Sequence, residues 1–347
     1  MLFSPLSYPA LSQVLSPHFH LSIKAVGLTA LACTSNSTKE EVMRYMEMLA
    51  TGSSPAILYA TPEKISKSKS FLNKLEVCFR RGSLKRIVID EAHCCSEWGH
   101  DFRTDYNALH ILKTQFSNVP LLCLTATAIP KVVTEVCKTL NIVGCEVFRC
   151  PIHRPELRYS VVPKHVNDKV VVEDIVRFIA TSHHNSSGIV YCYTRKDCET
   201  VAAELSLQGI QASPYHADMS SEERLQVQQF WQAGRYQVVV ATVAFGMGIN
   251  KMNVRFVIHH TLSKSIEGFY QESGRAGRDG LAADCVIYYR SSDVIRLSTR
   301  VIADRSGLGK LYSSANFCEN RSSCRRDSAA WHLFWRLIQP QRMFEIV

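Results

Sequence analysis

The sequence predicts an α/β fold built from two parallel-sheet units in tandem. From residue 55 onward, short apolar runs alternate with amphipathic helical stretches, and repetition of strand, helix, strand is the signature of α/β sheets. The runs are apolar at successive positions, as strands covered on both faces must be. The 347 residues also suit two domains at ~100–200 residues each.

Ala56-Ile57-Leu58-Tyr59-Ala60 reads as a strand and 66–80 as a helix. Arg86-Ile87-Val88-Ile89 is a strand that ends on Asp90. Pro120 to Leu124 is the next strand. Residues 130–140 follow as a helix, with Pro130 in the first turn, where a backbone N–H has no helical partner to lose. The stretch 149–166 is richer in Pro and charge and predicts a linker. Beyond it, Gly188 to Cys192 is a strand and 197–208 a helix. Ser220 with Glu223 forms a capping box, and Gly234 ends the helix that it starts. Val238 to Ala241, Arg255 to His259 and Cys285 to Tyr289 are further strands.

Hydrophobic residues make up 46% and charged residues 20%, which excludes wholesale disorder and fibrous repeats. No apolar run approaches the ~20 residues of a membrane helix, so no membrane association is expected. Lys plus Arg number 40 against 31 Asp plus Glu, a net charge of +9 that suits a polyanionic partner as well as a merely basic protein. The 13 cysteines are dispersed, odd in number and free of any CxxC, which predicts free thiols in a reducing compartment. Residues 1–38 lack Asp and Glu and are rich in Ser, but Lys24 is their only Lys or Arg, a poor match to a transit peptide.

Ligands of open α/β sheets gather beyond the carboxyl ends of the strands, and Asp90-Glu91 sits at such an end. One carboxylate there can hold a magnesium shell while the other polarises a water. By itself the dipeptide is more often only the end of a strand. Its extension changes the odds: Asp90-Glu91-Ala92-His93 runs on through Cys94-Cys95-Ser96-Glu97-Trp98-Gly99-His100-Asp101-Phe102-Arg103. This resembles motif II of superfamily 2 helicases followed by the aromatic-rich loop of RecQ helicases. Leu124 to Ala128 resembles motif III, Tyr215-His216-Ala217-Asp218-Met219 motif IVa, Ala241 to Lys251 motif V, and Tyr270 to Gly280 motif VI. Ser4-Pro5-Leu6 with Gln13-Val14 resembles motif Ia, with Ser12 where the family has Asp. The order and spacing match over roughly 55–325, and the nearest likeness is to the small RecQ-like DNA helicases of plants and animals.

The resemblance implies two RecA-like domains, 1–154 and 155–297, closing on ATP and Mg2+, followed by a short helical remnant and divergent tail over 298–347. It implies DNA, single-stranded and forked duplex, as partner, bound mainly through its phosphate backbone, and possibly a full-length helicase or repair proteins. Asp90 would hold the magnesium, Glu91 would orient the attacking water, and Arg275 and Arg278 would face the phosphates, with Gly246 and Gly248 also binding the nucleotide and Gly274 and Gly277 letting the backbone approach closely. His93 would couple motif II to Gln271. Trp98, Phe102, Arg103, Thr127, His216 and Thr242 would contact nucleic acid, with Lys251 also near the backbone phosphates. Each has a plainer reading: the arginines as a solvated helix face, the aromatics as core anchors, His93 as a hydrogen-bonded core histidine. Ancestry and free thiols suggest the nucleus, with chloroplast or cytoplasm as alternatives.

The sequence also departs from the family. No G-x-x-x-x-G-K-[ST] phosphate loop and no adenine-recognising motif precede Asp90. Gly307-Leu308-Gly309-Lys310 is too short and lies beyond motif VI. The first domain is therefore expected to be incomplete, short of a central strand, and poorly stable. Cys324, with Cys318, cannot complete a tetrahedral zinc site, so zinc is not expected. Thr104 stands where the family has Pro, and Met252-Asn253 where Pro-Asp is common. Three readings follow: a 3′–5′ ATP-dependent DNA helicase of repair and recombination, impaired in this chain; a non-catalytic isoform or fragment that binds DNA or a partner; and an RNA helicase of DEAD/DEAH type, against which the aromatic loop argues. The run Ala330 to Ile338 could serve as a partner-binding helix or be unrelated sequence.

Overall fold

The computed structural model describes residues 2–3, 29–33, 37, 39–51, 55–96, 102–125, 130–148, 154–246, 249–302, 304 and 306–326. The chain divides into two compact units, Met1–Arg149 and Cys150–Val347.

In unit 1 the strands β1 (Leu2–Phe3), β2 (Ala30–Cys33), β3 (Ile57–Ala60), β4 (Ile87–Ile89) and β5 (Leu121–Cys123) form one sheet in the order β2-β3-β1-β4-β5. Every pairing is parallel. The two residues of β1 bridge the sheet, Leu2 lying opposite both Tyr59 and Val88. Helices α1 (Lys39–Thr51), α2 (Pro62–Lys67), α3 (Lys69–Arg80), α4 (Thr104–Asn107), α5 (His110–Gln115) and α6 (Pro130–Thr139) complete the unit. Phe71, Leu75, Tyr106, Leu112, Phe116 and Val132 pack with Leu58, Ile87 and Ile89 in its core.

The expected helix 66–80 is two helices. Thr61 caps α2, its hydroxyl accepting from the Lys64 N–H at 3.3 Å, and Ser68 caps α3 by accepting from the Phe71 N–H at 3.3 Å. A second N-cap inside one apolar period restarts the helix. The elements β1, β2 and α1 lie ahead of the rhythm that begins at residue 55. On the outer edge of the sheet no strand pairs with β5 among the described residues, and Leu122 and Leu124 are each 43% exposed.

Unit 2 holds six parallel strands in the order β6-β11-β10-β7-β9-β8. They are β6 (Leu157–Pro163), β7 (Ser187–Tyr191), β8 (Ala212–Tyr215), β9 (Val238–Ala241), β10 (Val254–His259) and β11 (Ala283–Tyr289). Helices α7 (Asp168–Ser182) and α8 (Arg195–Leu207) pack Val171, Ile175, Val201 and Leu205 on Val190, Val240 and Ile258. On other sheet residues (Ile189, Val239 and Val257), Trp231 of α9 (Ser221–Gln232) packs with Phe245. Helices α10 (Ile266–Ser273), α11 (Ser291–Val301) and α12 (Gly307–Glu319) gather round Phe269, Leu297, Leu311 and Phe317. Sequence-adjacent hydrophobics of a central strand thus divide between two clusters, as the unbroken apolar runs predicted.

The expected linker 149–166 contains β6, which pairs with β11 along its whole length. Being an edge strand, it is only partly covered, and its residues Arg158 and Ser160 are exposed while Leu157 is buried. That mixture looked like linker composition. Both ends of α9 follow the sequence: the Ser220–Glu223 capping box is formed, and Gly234 has φ +77°. The Gly307-Leu308-Gly309-Lys310 run is the first turn of α12, where an added Cβ on Gly307 would meet the Val301 carbonyl at 2.2 Å. Cys318 is buried in the same cluster, its thiol pushed up to about 12 by burial, whereas Cys324 is exposed. The tail from 327 to 347 lies outside the described residues.

Two outcomes are expected. A Cβ on Gly188 would sit 2.0 Å from the Phe256 ring, so Gly188→Ala should destabilise unit 2 by ~1–3 kcal/mol in urea unfolding. Leu122→Lys on the bare β5 edge should reduce concentration-dependent light scattering and leave the melting curve nearly unchanged.

Candidate active site

Strand β4 is buried along its length and releases Asp90 at its carboxyl end. The Asp90 carboxylate accepts from the Glu91 N–H at 2.9 Å, and Tyr106 donates its hydroxyl to the Asp90 carbonyl at 3.3 Å. Glu91 has φ 48° and ψ 43°, a left-handed conformation that a glutamate seldom adopts. The kink starts a single 3₁₀ turn, Ala92–Cys95, which turns His93 inward. Its Nδ1 lies 2.9 Å from Thr125 Oγ1 and 3.2 Å from a Glu91 carboxylate oxygen. Strand β5 brings Thr125 there, because Leu124 donates to the Ile89 carbonyl at 2.8 Å and accepts from the Ala92 N–H at 2.8 Å. Asp90, Glu91, His93 and Thr125 therefore share one corner. His93 joins motif II to motif III inside unit 1, and Gln271, its expected partner in motif VI, lies half-buried on α10.

Burial raises the Asp90 carboxyl above the ordinary aspartate range, against the lowering effect of its one backbone hydrogen bond. A desolvated carboxylate of this kind suits a divalent cation, whose charge reverses the penalty. The Ser96 hydroxyl donates to Glu135 on α6, and the Arg103 N–H donates to the Cys94 carbonyl at 3.0 Å. The end of the aromatic loop is thereby laid beside the acidic turn, with Phe102 37% exposed and Arg103 half-buried. Trp98 and Thr127 lie outside the described residues, as does Gly248.

In unit 2 the motif V and motif VI loops are tied together. Arg275 donates to the Gly246 carbonyl, and Arg278 donates to the Ile249 carbonyl at 2.5 Å. A side chain on Gly246 would crowd the Val243 carbonyl at 3.1 Å and the Arg275 guanidinium at 3.3 Å. Tyr191, at the end of β7, donates its hydroxyl to the Phe245 carbonyl at 2.7 Å and contacts Arg275. Burial lowers the Arg278 pKa, and the neighbouring Arg275 and Arg154 charges lower it further.

Arg154, in the supposed linker, was not foreseen as a site residue. Its guanidinium donates to the carbonyls of Gly274 (3.4 Å), Ala276 (3.0 Å) and Gly277 (2.9 Å) and to the Glu156 carboxylate. It therefore holds the loop between Arg275 and Arg278 from its carbonyl side. Gly277 has φ +61°, and its N–H donates to the Val254 carbonyl at 3.0 Å, which fixes the other side. Glu272 was missed too: it lies 2.7 Å from His259 Nε2 and accepts from Ser263 at 2.9 Å, while His259 stacks on Tyr191 at 5.3 Å. A charged pair next to a proline, and a glutamate inside a glycine-rich motif, give no periodic signal.

His216 is buried at the end of β8, its Nε2 3.2 Å from Glu199. Thr242 follows β9, accepts from the Ala244 N–H through its hydroxyl at 3.4 Å, and is half-buried. Lys251 is placed differently from the expectation. Its ammonium donates to the Trp231 and Gln232 carbonyls at 3.0 and 3.2 Å, capping the carboxyl end of α9. Desolvation lowers its pKa.

Removing Arg154 leaves three carbonyls without their donor, at ~1.5–3 kcal/mol for charged hydrogen bonds. In Arg154→Ala, tryptic cleavage after Arg275 and Arg278 should accelerate about tenfold or more, with partial protection in Arg154→Lys. Unchanged cleavage times would show that the loop holds itself.

The comparisons with known proteins agree with this architecture. Residues 9–136 match the model of the DEAD/DEAH box helicase family, and 170–280 match the helicase conserved C-terminal domain. The chain is 50% identical over 314 residues to the ATP-dependent DNA helicase Q-like 2 of Arabidopsis thaliana, covering 90% of this chain and 44% of that protein. It is 47% identical over 311 residues to ATP-dependent DNA helicase Q1 of Pongo abelii, covering 89% and 48%. The chain thus spans under half the length of these relatives. Among solved structures, the helicase MrfA bound to DNA aligns at TM-score 0.65 and 16% identity, over 91% of this chain and 48% of that one. The helicase Lhr of Mycobacterium smegmatis, bound to ssDNA and AMP-PNP, aligns at TM-score 0.61 and 20% identity, over 97% and 48%. At such identities these two establish the fold, two RecA-like α/β domains. Together with the order of the motifs along both units, the sequence relatives make this chain a member of the RecQ family of helicases.

Proposed function

We propose that the chain is the motor region of a RecQ-type 3′–5′ DNA helicase, which couples ATP hydrolysis to single-strand translocation and duplex unwinding in repair and recombination in the nucleus. The observation that carries this is the corner in which Asp90, Glu91, His93 and Thr125 are joined. Mg2+ with ATP would supply an activated phosphoryl group. Asp90 would hold the metal shell. Glu91, raised out of the strand line by its left-handed backbone, orients the water and accepts its proton. His93 senses the state of Glu91 on one ring nitrogen and passes it to Thr125 of motif III. Arg275 and Arg278 exchange their present carbonyl partners for phosphate oxygens, a contribution of ~10³–10⁵ in rate for such guanidinium groups. Phe102 and Arg103, tethered to the same turn through Cys94, report an occupied DNA strand to that corner. DNA is held mainly by phosphate contacts, so log affinity should fall linearly with log salt, losing orders of magnitude between about 50 and 200 mM.

A second reading is DNA binding without turnover. Measuring DNA-stimulated ATP hydrolysis separates the two. The 347-residue chain should turn over at background while binding single-stranded DNA in preference to RNA. Joined to an upstream segment carrying the phosphate loop, it should gain DNA-stimulated activity that Glu91→Gln abolishes. An extended chain that stays inactive, or one indifferent to Glu91→Gln, would sink the helicase reading. Salt-insensitive binding, or preference for RNA, would sink the DNA assignment.

A further inference from the structure

Most described cysteines of both units are buried, but in unit 1 Cys123, Cys137 and Cys145 are not, and of these Cys137 and Cys145 bring their sulfurs together. Cys137 lies in the last turn of α6 and is half-buried, and Cys145 lies just beyond it and is exposed. Their sulfurs are 3.6 Å apart. The approach is set by backbone. Ile142 donates to the Cys137 carbonyl at 2.8 Å, Asn141 to the Lys138 carbonyl at 3.1 Å, and Cys145 to the Ile142 carbonyl at 3.2 Å. Asn141 (φ 56°) and Gly144 (φ 82°) take the two left-handed positions that turn the chain back on the helix. Cys192 and Cys198 also lie close together, but both are buried, and exposed Cys324 has no such neighbour among the described residues.

We propose that Cys137 and Cys145 form a dithiol modification site that reacts with small disulfides of the glutathione class and closes to a reversible intramolecular disulfide. Cys145, the accessible thiol, attacks first: its sulfur bonds to one sulfur of the oxidant, and the other leaves as a thiol with the proton that Cys145 gave up. Cys137 then attacks the Cys145 sulfur and expels the second small thiol with the second proton. Two protein thiols are oxidised and one small disulfide is reduced to two thiols. Burial and the adjacent Cys145 hold the Cys137 thiol up at about 11, which assigns it the resolving step rather than the first. Closure needs the sulfurs to move from 3.6 Å to ~2.05 Å, a rotation open to an exposed side chain. The cross-link fastens the segment 145–148, which leads to the boundary of unit 1, onto the end of α6.

The test uses the full chain, reduced and then exposed to oxidised glutathione under native conditions. The expected product has lost two hydrogens and carries no adduct. After trypsin it gives the peptide 132–138 joined to 139–149, a link that dithiothreitol dissolves. Cys137→Ser should instead stop at a stable glutathione adduct on Cys145, and Cys145→Ser should react at least tenfold more slowly than the unsubstituted chain. A lasting adduct on Cys145 in the unsubstituted chain would overturn the proposal. So would a cross-link that forms only after urea is added, or one that joins other cysteines.

Discussion

A strand buried on both faces cannot carry polar chemistry along its length, because each unpaired polar side chain there forfeits its hydration. The parallel sheets of both units obey this, and so the chemistry is pushed to the carboxyl ends. Asp90 follows β4, Thr125 follows β5, His216 follows β8 and Thr242 follows β9, while Tyr191 ends β7. Hydrogen bonds between neighbouring strand ends then set the distances. The reach from Leu124 to both Ile89 and Ala92 brings two motifs, 32 residues apart at His93 and Thr125, within 2.9 Å.

The second unit brings like charges together: Arg154 and Arg275 are half-buried and Arg278 is exposed. Arg154, Arg275 and Arg278 lie close enough to lower the pKa of Arg278, and their partners are chiefly backbone carbonyls. Carbonyls lend partial negative charge without a carboxylate's full desolvation cost, and they release a cation more readily than a buried salt bridge does. At Gly246 a side chain would crowd the Val243 carbonyl first and then the Arg275 guanidinium.

The legible parts of the sequence were those where one residue type has one local meaning. Unbroken apolar runs located β3, β4, β5, β7, β9, β10 and β11, the Ser220–Glu223 box located the start of α9, and the spacing from Asp90 to His93 located the acidic corner. The illegible parts depend on tertiary position. Strand β6 is an edge strand with one partner, so its mixed polarity passed for a linker. Lys251 reads as a phosphate contact in a basic motif, yet the carboxyl end of α9 happens to face it. Arg154 gains its meaning only from the carbonyls more than a hundred residues away that converge on it. Ser68 carries a signal that was present but outweighed by the longer helical period around it.

Helix α12 adds a last point about transmission. Phe317 lies against Phe269 of α10, with ring centroids 5.6 Å apart, and Leu311 shares the cluster. The same α10 carries Glu272 one turn further along, bonded to the His259 that also packs edge-on against Phe269, and runs straight into the loop of Arg275 and Arg278. An aromatic wedge behind a helix behaves as a lever. A displacement of α12 reaches α10 through that wedge, and with it the turn from which Arg275 and Arg278 project.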